Sequence, residues 1–299
     1  MKKISRNEAF KSTKMFLIDA SIENRYEVLI KRGVAELEKK ANNLTTVGNL
    51  ISFIKSEKDS VNDICVILGV SQEKFKRIFS LLRLKLGYTF DSECSLDSMR
   101  GHLIKHPELM ENFCQLLING PKNNDFAQLI PKFLLDVFYI TPEVISRFSN
   151  KDYLTRLVKA ALNTQYNADY CALYVVNLSS FIKDVCKRFG LTYETKELKG
   201  VPGINSIITD GVKSIIVTSN FYLTTSSSQT SYAEKTIRPI FQSIRTMPEV
   251  ILVNFLDGAG WIGRGSDYYK VYSDCTYFLN YEHKERLVEI IKEHFNISE

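Results

Sequence analysis

Residues 203–222 have the sequence GINSIITDGVKSIIVTSNFY, in which two apolar runs flank Asp210-Gly211. β-Branched and aromatic residues favour strands, and Asp-Gly between such runs is a strong hairpin signal. We therefore predict two antiparallel strands, the second ending in Asn-Phe-Tyr at 220–222. A third apolar run, 250–255, is closed by the turn sequence Asp-Gly-Ala-Gly at 257–260 and predicts a third strand.

Helices are predicted around these strands. The segment 231–244 is a helical candidate that Pro239 must kink or end, and 284–295 is a terminal amphipathic helix. The resulting order, β-β-α-β-α, is typical of a mixed sheet flanked by helices. The fold class we expect is α/β in the broad sense (α+β), with a mostly helical region before the sheet.

Three segments follow from this pattern. Residues 1–90 are helical and basic, 91–200 are a helical region continuing into the core, and 201–299 form the β-β-α-β-α core. Within the second segment, 170–176 is compatible with a buried strand or a helix turn.

The sharpest local pattern of the first half is Val61 to Leu86, where two short helices flank Gly69-Val70-Ser71. Gly69 can take a positive φ and Ser71 can cap the second helix, as in a helix-turn-helix. Phe75, Ile78, Phe79 and Leu82 are expected in the core. The residues expected to face DNA are Gln72, Lys74, Lys76, Arg77 and Arg83. A plain helical hairpin with a basic outer face remains the alternative.

The charge is unevenly distributed along the chain. The net charge of +5 divides into +7 for residues 1–90, zero for 91–199 and −2 for 200–299. A polyanion would therefore meet the N-terminal end first, although a solvated basic surface accounts for the charge equally well. No long apolar stretch indicates a membrane span, and the six scattered cysteines suit a reducing compartment, so we expect a cytoplasmic protein.

The block from 203 to 287 resembles the DpnII/MboI-type restriction endonucleases of the PD-(D/E)xK superfamily. The resemblance lies in Asn-Phe-Tyr at 220–222, the Ser-rich loop and helix that follow, and Asp-Gly-Ala-Gly-Trp at 257–261. It covers between a quarter and a third of the chain. It implies a restriction-endonuclease-like sheet and a magnesium-dependent, site-specific deoxyribonuclease.

The resemblance also implies acidic metal ligands, because magnesium prefers charged oxygen ligands and hydrolysis needs it to activate the nucleophile. The corresponding positions here are Asn205, where the family has the first-strand acid, and Thr218, two residues before Asn220. Asn220 itself matches the family subtype. The acids are therefore missing at two positions together, and which residues would hold a metal is unknown.

Relocated acids are an alternative, and Asp210 and Glu234 are the candidates. A role in the hairpin turn is the simpler explanation of Asp210, and exposure to solvent on a helix is the simpler explanation of Glu234. Asp257 likewise suits a turn, and Trp261, the only tryptophan, suits packing against it.

Three functions stay open. The first is a DNA-binding protein related to type II restriction endonucleases, within a restriction-modification or defence system, whose cleavage activity the missing acids call into question. The second is an active endonuclease with a rearranged metal site, and the third is a protein-interaction scaffold with no DNA role. For the first two we expect double-stranded DNA as partner, magnesium as cofactor if the protein is active, a homodimer by analogy, and a partner methyltransferase in the same system.

Overall fold

A computed structural model describes residues 2–41, 44–122 and 124–297. The chain divides into two compact units. The sheet unit comprises Met1–Ile22 and Thr164–Glu299, and the helical unit comprises Glu23–Asn163. These units run across the divisions expected at residues 90 and 200. The basic N-terminal end is shared between them, since five of its cations precede residue 23.

The helices, in chain order, are as follows: α1 (Arg6–Lys11), α2 (Ala20–Ala41), α3 (Val47–Ser56), α4 (Ser60–Leu68), α5 (Gln72–Lys85), α6 (Leu96–Lys105), α7 (Pro107–Asn119), α8 (Asn124–Ala127), α9 (Lys132–Leu135), α10 (Pro142–Ser146), α11 (Lys151–Arg188), α12 (Ser227–Ser231), α13 (Arg238–Ile244), α14 (Ala259–Ile262), α15 (Gly265–Ser273) and α16 (Arg286–Phe295). The strands are β1 (Thr192–Glu197), β2 (Ile204–Thr209), β3 (Ser214–Phe221), β4 (Val250–Asp257) and β5 (Tyr277–Leu279).

The sheet is mixed and has the order β1-β2-β3-β4-β5. β1, β2 and β3 pair antiparallel, whereas β3–β4 and β4–β5 pair parallel. The hairpin and the third strand predicted from sequence are confirmed, and so is the α+β class with helices beside a mixed sheet. Two further strands, β1 and β5, lie at the sheet edges and were not predicted.

One face of the sheet packs on the helices that follow β3 and β4. Ile216, Leu252 and Phe278 share a buried cluster there with Ile237 of the connecting helix and with Trp261. The other face meets α11, where the ring of Tyr174 stacks on that of Phe221 at 5.1 Å. The segment 170–176, predicted as a strand or a helix turn, lies within the continuous helix α11.

The helix after β3 accommodates Pro239 by means of a π-helical turn. That turn, Tyr232–Ile237, joins α12 to α13, and Pro239 falls at the start of α13. Ile237 is itself helical, with φ −70° and ψ −50°, so Pro239 lies within a continuous helix. A proline there lacks one backbone donor and crowds the preceding turn, and the π-helical turn before it accommodates both effects. The hydrogen-bond pattern of the helix therefore changes before the proline, and the helix continues past it.

In the helical unit, the buried side chains of α3 to α7 form one core. Phe75 and Phe79 of α5 both contact Phe113 of α7 edge to face, with ring centroids 5.9 and 5.8 Å apart. This arrangement fixes which face of α5 is left for solvent.

Candidate functional site

The two sequence motifs that follow β3 and β4 are docked against each other. The backbone N–H of Tyr222 donates to the carbonyl of Asp257 at 3.3 Å, and that of Gly260 donates to the carbonyl of Tyr222 at 2.8 Å. The indole N–H of Trp261 donates to Oδ1 of Asn220 at 3.2 Å. The motifs therefore form one structural element at the carboxyl end of the parallel strand pair, the edge where ligands of α/β sheets commonly bind.

Glycine is required at two positions of this element. Gly258 has a φ of 108°, and a Cβ there would lie 2.3 Å from the carbonyl oxygen of Tyr222. A Cβ on Gly260 would lie 2.4 Å from the carbonyl oxygen of Thr224. The close backbone approach explains why both glycines stand in the Asp-Gly-Ala-Gly-Trp sequence.

Asp257 is fully buried and anchors the turn. Its Oδ1 accepts the N–H of Lys14 at 2.6 Å, and its Oδ2 accepts the hydroxyl of Tyr174 and the N–H of Tyr281, both at 2.7 Å. Burial raises its pKa to about 7, against the lowering effect of these hydrogen bonds. The carboxyl group lies on the α11 side of the sheet, because Asp257 pairs with Phe221.

The opposite face of the sheet carries a neutral polar cluster at the positions that the resemblance singled out. Thr218 pairs with Asn254 across β3 and β4, and its hydroxyl donates to Asn254 Oδ1 at 2.7 Å. Ser206 pairs with Val217, and extending this antiparallel register by one residue places Asn205 opposite Thr218. The Asn205 side chain bonds to the loop before β2 and not to Thr218. Side chains directly opposite in an antiparallel pair point to the same face.

Tyr232 completes this cluster from the π-helical turn. Its hydroxyl donates to the same Asn254 Oδ1 at 2.8 Å, and burial raises its pKa. Asn254 is fully buried, and its Nδ2 has no hydrogen-bond partner within the described chain. A buried donor without a partner is costly, so the side-chain amide of Asn254 is the unsatisfied polar group of the cluster. We call Asn205, Thr218, Tyr232 and Asn254 the amide cluster.

Two members of the amide cluster, Asn254 and Tyr232, were not predicted from the sequence. Asn254 carried a signal, since it is the single polar residue within the apolar run of β4 and must be buried there. Tyr232 carried none, because its approach depends on the π-helical turn before Pro239.

The proposed relocated acids are not brought together with the amide cluster. Asp210 is exposed in the β2–β3 turn, where its Oδ1 accepts the N–H groups of Val212 and Lys213 at 2.9 and 2.7 Å. These bonds lower its pKa. Thr218 lies four residues further along β3 from Ser214, which is about 13 Å at strand spacing.

Glu234 forms ion pairs with Arg238 and, at 2.8 Å, with Lys270. These contacts lower its pKa, the Lys270 hydrogen bond most. A divalent ion would have to displace two cations to use this carboxylate.

The amide cluster does not fit magnesium. Asn205 donates its Nδ2 to the carbonyls of Pro202 and Gly203, at 3.2 and 3.0 Å, and supplies no negative charge. The Thr218 hydroxyl and Asn254 Oδ1 are bound to each other. Over the described residues, no three His, Cys, Asp or Glu side chains stand close enough to share a metal ion. Magnesium sites need carboxylates to offset the cost of dehydrating the ion.

In the helical unit, α4, a three-residue turn and α5 have the predicted form. Gly69 ends α4 with a φ of 65°, and Ser71 caps α5 by accepting the N–H of Lys74 at 3.4 Å. The predicted core positions of α5 are all buried: Phe75, Ile78, Phe79 and Leu82.

The outer face of α5 differs from the prediction at Arg83. We expected Arg83 to face out, but it is only 6% exposed, and its guanidinium lies 3.9 Å from the ring centroid of Phe90. The aromatic ring and the side chain's apolar stem explain this burial. Arg83 is therefore a packing residue and not available to DNA.

The other four predicted contacts are not buried, but two of them are paired. Lys76 bonds Glu73 at 3.0 Å, and Arg77 pairs with both Glu73 and Glu93. Gln72 and Lys74 are exposed. Within the described chain, Lys74 makes no ion pair, so it is the free cation of this face.

The chain matches no family model, no curated protein and no solved structure, and the site is therefore interpreted from its own geometry. Among the described helices, none has both the length and the apolar character needed to cross a bilayer.

Proposed function

We propose that this protein is a DNA-binding protein built on a restriction-endonuclease-like sheet, in which the cleavage centre is replaced by the amide cluster. Its context would be a restriction-modification or defence system. The observation that carries the proposal is the placement of Asn205 and Thr218 side by side on one sheet face. These are the two positions at which the resembled nucleases have acids.

The docking of the two motifs supports the same proposal. Asn220 and Trp261 are joined by a hydrogen bond, and Gly258 and Gly260 permit the close approach of the two chain segments. The two motifs are neighbours because β3 and β4 pair up to Phe221 and Asp257. The sheet can thus keep the architecture of a nuclease without its chemistry.

The helical unit is the proposed DNA-binding element. Lys74 and Gln72 lie exposed at the start of α5, where the recognition helix of a helix-turn-helix contacts DNA. Lys74 would meet a phosphate, and Gln72 would reach a base edge. Glu73 competes for the cations next to it, which predicts weak binding.

The test uses the full chain with duplex DNA and with plasmid. We expect a gel shift that weakens between about 50 and 200 mM salt, because phosphate contacts release counterions. We expect plasmid incubated with magnesium or manganese to stay intact. Absence of any shift at low salt would contradict the proposal and favour a protein-interaction role.

Cleavage is the other informative outcome. Clean cutting that Glu234→Ala abolishes would establish the active endonuclease with a rearranged site instead. Cutting that survives this substitution would point to a contaminating nuclease. A Gly258→Ala preparation purified in parallel would contain the same contaminant and is the control for it.

A further inference from the structure

The sheet unit contains a cavity of about 300 Å³ beside the residues that follow β3. It opens between the N-terminal segment, α11 and the end of the Asn-Phe-Tyr motif. Six residues that line it are Phe16, Tyr166, Asn167, Tyr170, Leu223 and Thr224. None of them belongs to the amide cluster.

Aromatic rings form its walls. The rings of Tyr166 and Tyr170 meet edge to face at 5.0 Å. The hydroxyl of Tyr170 accepts the N–H of Asp19 at 3.3 Å, which fixes that ring in place. Phe16 lines the cavity and is 60% exposed, so its ring is open to a ligand. The exposed ring can close over a flat molecule.

Polar groups at the cavity are neutral and available. The side-chain amide of Asn167 and the hydroxyl of Thr224 have no hydrogen-bond partners among the residues the structure describes. An amide presents a donor and an acceptor, and a hydroxyl can act as either. Such a pair suits the edge of a heterocycle, whereas a carboxylate or an ammonium group would find no opposite charge on these six side chains.

Cations lie outside the cavity on the same N-terminal segment. Lys11 and Lys14 are exposed, and they precede Phe16 by five and two residues. Lys14 is tied to the Asp257 turn through its backbone N–H. Proteins that bind single strands combine aromatic rings, on which a base stacks, with cations that contact the phosphates.

We propose that this cavity binds a single unstacked base of DNA. This inference rests on the proposed function and adds a ligand site to it. The base would lie against the rings of Phe16 and Tyr166, with its edge bonded to Asn167 and Thr224. Unstacking a base costs less at a mismatch than in a matched duplex, so a base site produces a preference for mismatched DNA.

The test measures the affinity of the full chain for two duplexes that differ only in one central mismatch. We expect the mismatched duplex to bind about fivefold to tenfold more tightly. Phe16→Ala and Asn167→Leu should each remove most of this preference. Phe133→Ala is the matched control, because Phe133 is an exposed phenylalanine of the helical unit, 78% accessible.

Each outcome decides something different. Equal affinity for both duplexes in the unsubstituted protein overturns the base site and leaves DNA binding intact. If the preference for the mismatched duplex persists in both Phe16→Ala and Asn167→Leu, the base does not bind in this cavity. Binding to neither duplex overturns the base site together with the proposed function.

Discussion

The hydroxyl of Tyr174 donates a 2.7 Å hydrogen bond to Oδ2 of Asp257, and neither side chain is accessible to solvent. The acid of the Asp-Gly-Ala-Gly-Trp motif thereby faces α11, away from the amide cluster on the other side of the sheet. Burial and the neighbouring carboxylate raise the pKa of Tyr174 well above its ordinary value, so the hydroxyl keeps its proton. The Asp257 side chain thus connects the helix α11, its own turn and the N-terminal segment.

Tyr174→Phe removes the hydroxyl donor and keeps the ring that stacks on Phe221. At a pH above about 8, where Asp257 is ionised, we expect the sheet unit to lose about 1.5–3 kcal/mol, the range for a hydrogen bond to a charged partner. Urea unfolding followed by the fluorescence of Trp261, the only tryptophan, measures this directly. Tyr153→Phe in the helical unit is the control and should leave the Trp261 transition in place. Equal transitions for Tyr174→Phe and the unsubstituted protein would show that the bond contributes nothing.

The raised pKa of Asp257 makes stability depend on pH. Because the folded-state pKa, about 7, exceeds the ordinary value of 3.8, the folded state binds the proton more tightly than the unfolded state. Stability from this group is therefore present below about pH 4, falls as the pH rises to about 7, and changes no further above that. Asp257→Asn lacks the titration, so the difference between its pH–stability profile and that of the unsubstituted protein isolates the effect. A difference that is flat from pH 4 to 7 would contradict the assignment.

Gly258→Ala places a methyl group against the Tyr222 backbone and forces a positive φ on alanine. We expect a loss of more than about 2 kcal/mol in the Trp261 transition, or no folded sheet unit at all. Gly265→Ala is the matched control, since a Cβ there meets nothing within 4 Å in the described chain. That variant should stay within about 0.5 kcal/mol of the unsubstituted protein. Comparable losses in both variants would argue against the close approach.

The cations of α5 should differ in their effect on DNA affinity. Lys74→Ala should weaken binding and lower the salt slope by about 1, whereas Lys76→Ala should do less because Lys76 is held by Glu73. Glu73→Gln should strengthen binding, since it frees Lys76 for phosphate while Arg77 stays paired with Glu93. Lys159→Ala, an exposed lysine on α11, is the control. An unchanged affinity in Lys74→Ala and Glu73→Gln would place DNA binding elsewhere.

Arg83→Ala should leave the salt slope unchanged and lower the stability of the helical unit instead.

Acids placed at positions 205 and 218 test the proposed nuclease-like geometry. Asn205→Asp with Thr218→Glu places two carboxylates opposite each other, which repel without a cation. We therefore expect the double variant to melt at a lower temperature and to regain stability on addition of magnesium or manganese. The single variants should respond less, because one carboxylate holds these ions weakly. A double variant that shows no metal-dependent shift would mean that residues 205 and 218 do not share a site.

Local sequence determined much of this protein. The Asp-Gly hairpin, the apolar run of β4, the Gly69 bend and the Ser71 cap depend on residues next to each other along the chain. Hydrophobic periodicity likewise placed Phe75 and its neighbours in the core, because a helix repeats its faces every three to four residues. The positions of Asn205 and Thr218 on adjacent strands were also readable from sequence.

Tertiary structure decided the rest, because those features depend on residues far apart in sequence. β1 is mostly polar and becomes a strand only by pairing with β2. Arg83 is buried because Phe90 returns over it, and Tyr232 reaches Asn254 only through a π-helical turn. The role of Asp257 depends on a hydroxyl 83 residues away, from Tyr174. Spacing along a chain cannot encode such contacts, since they form only when separate elements pack together.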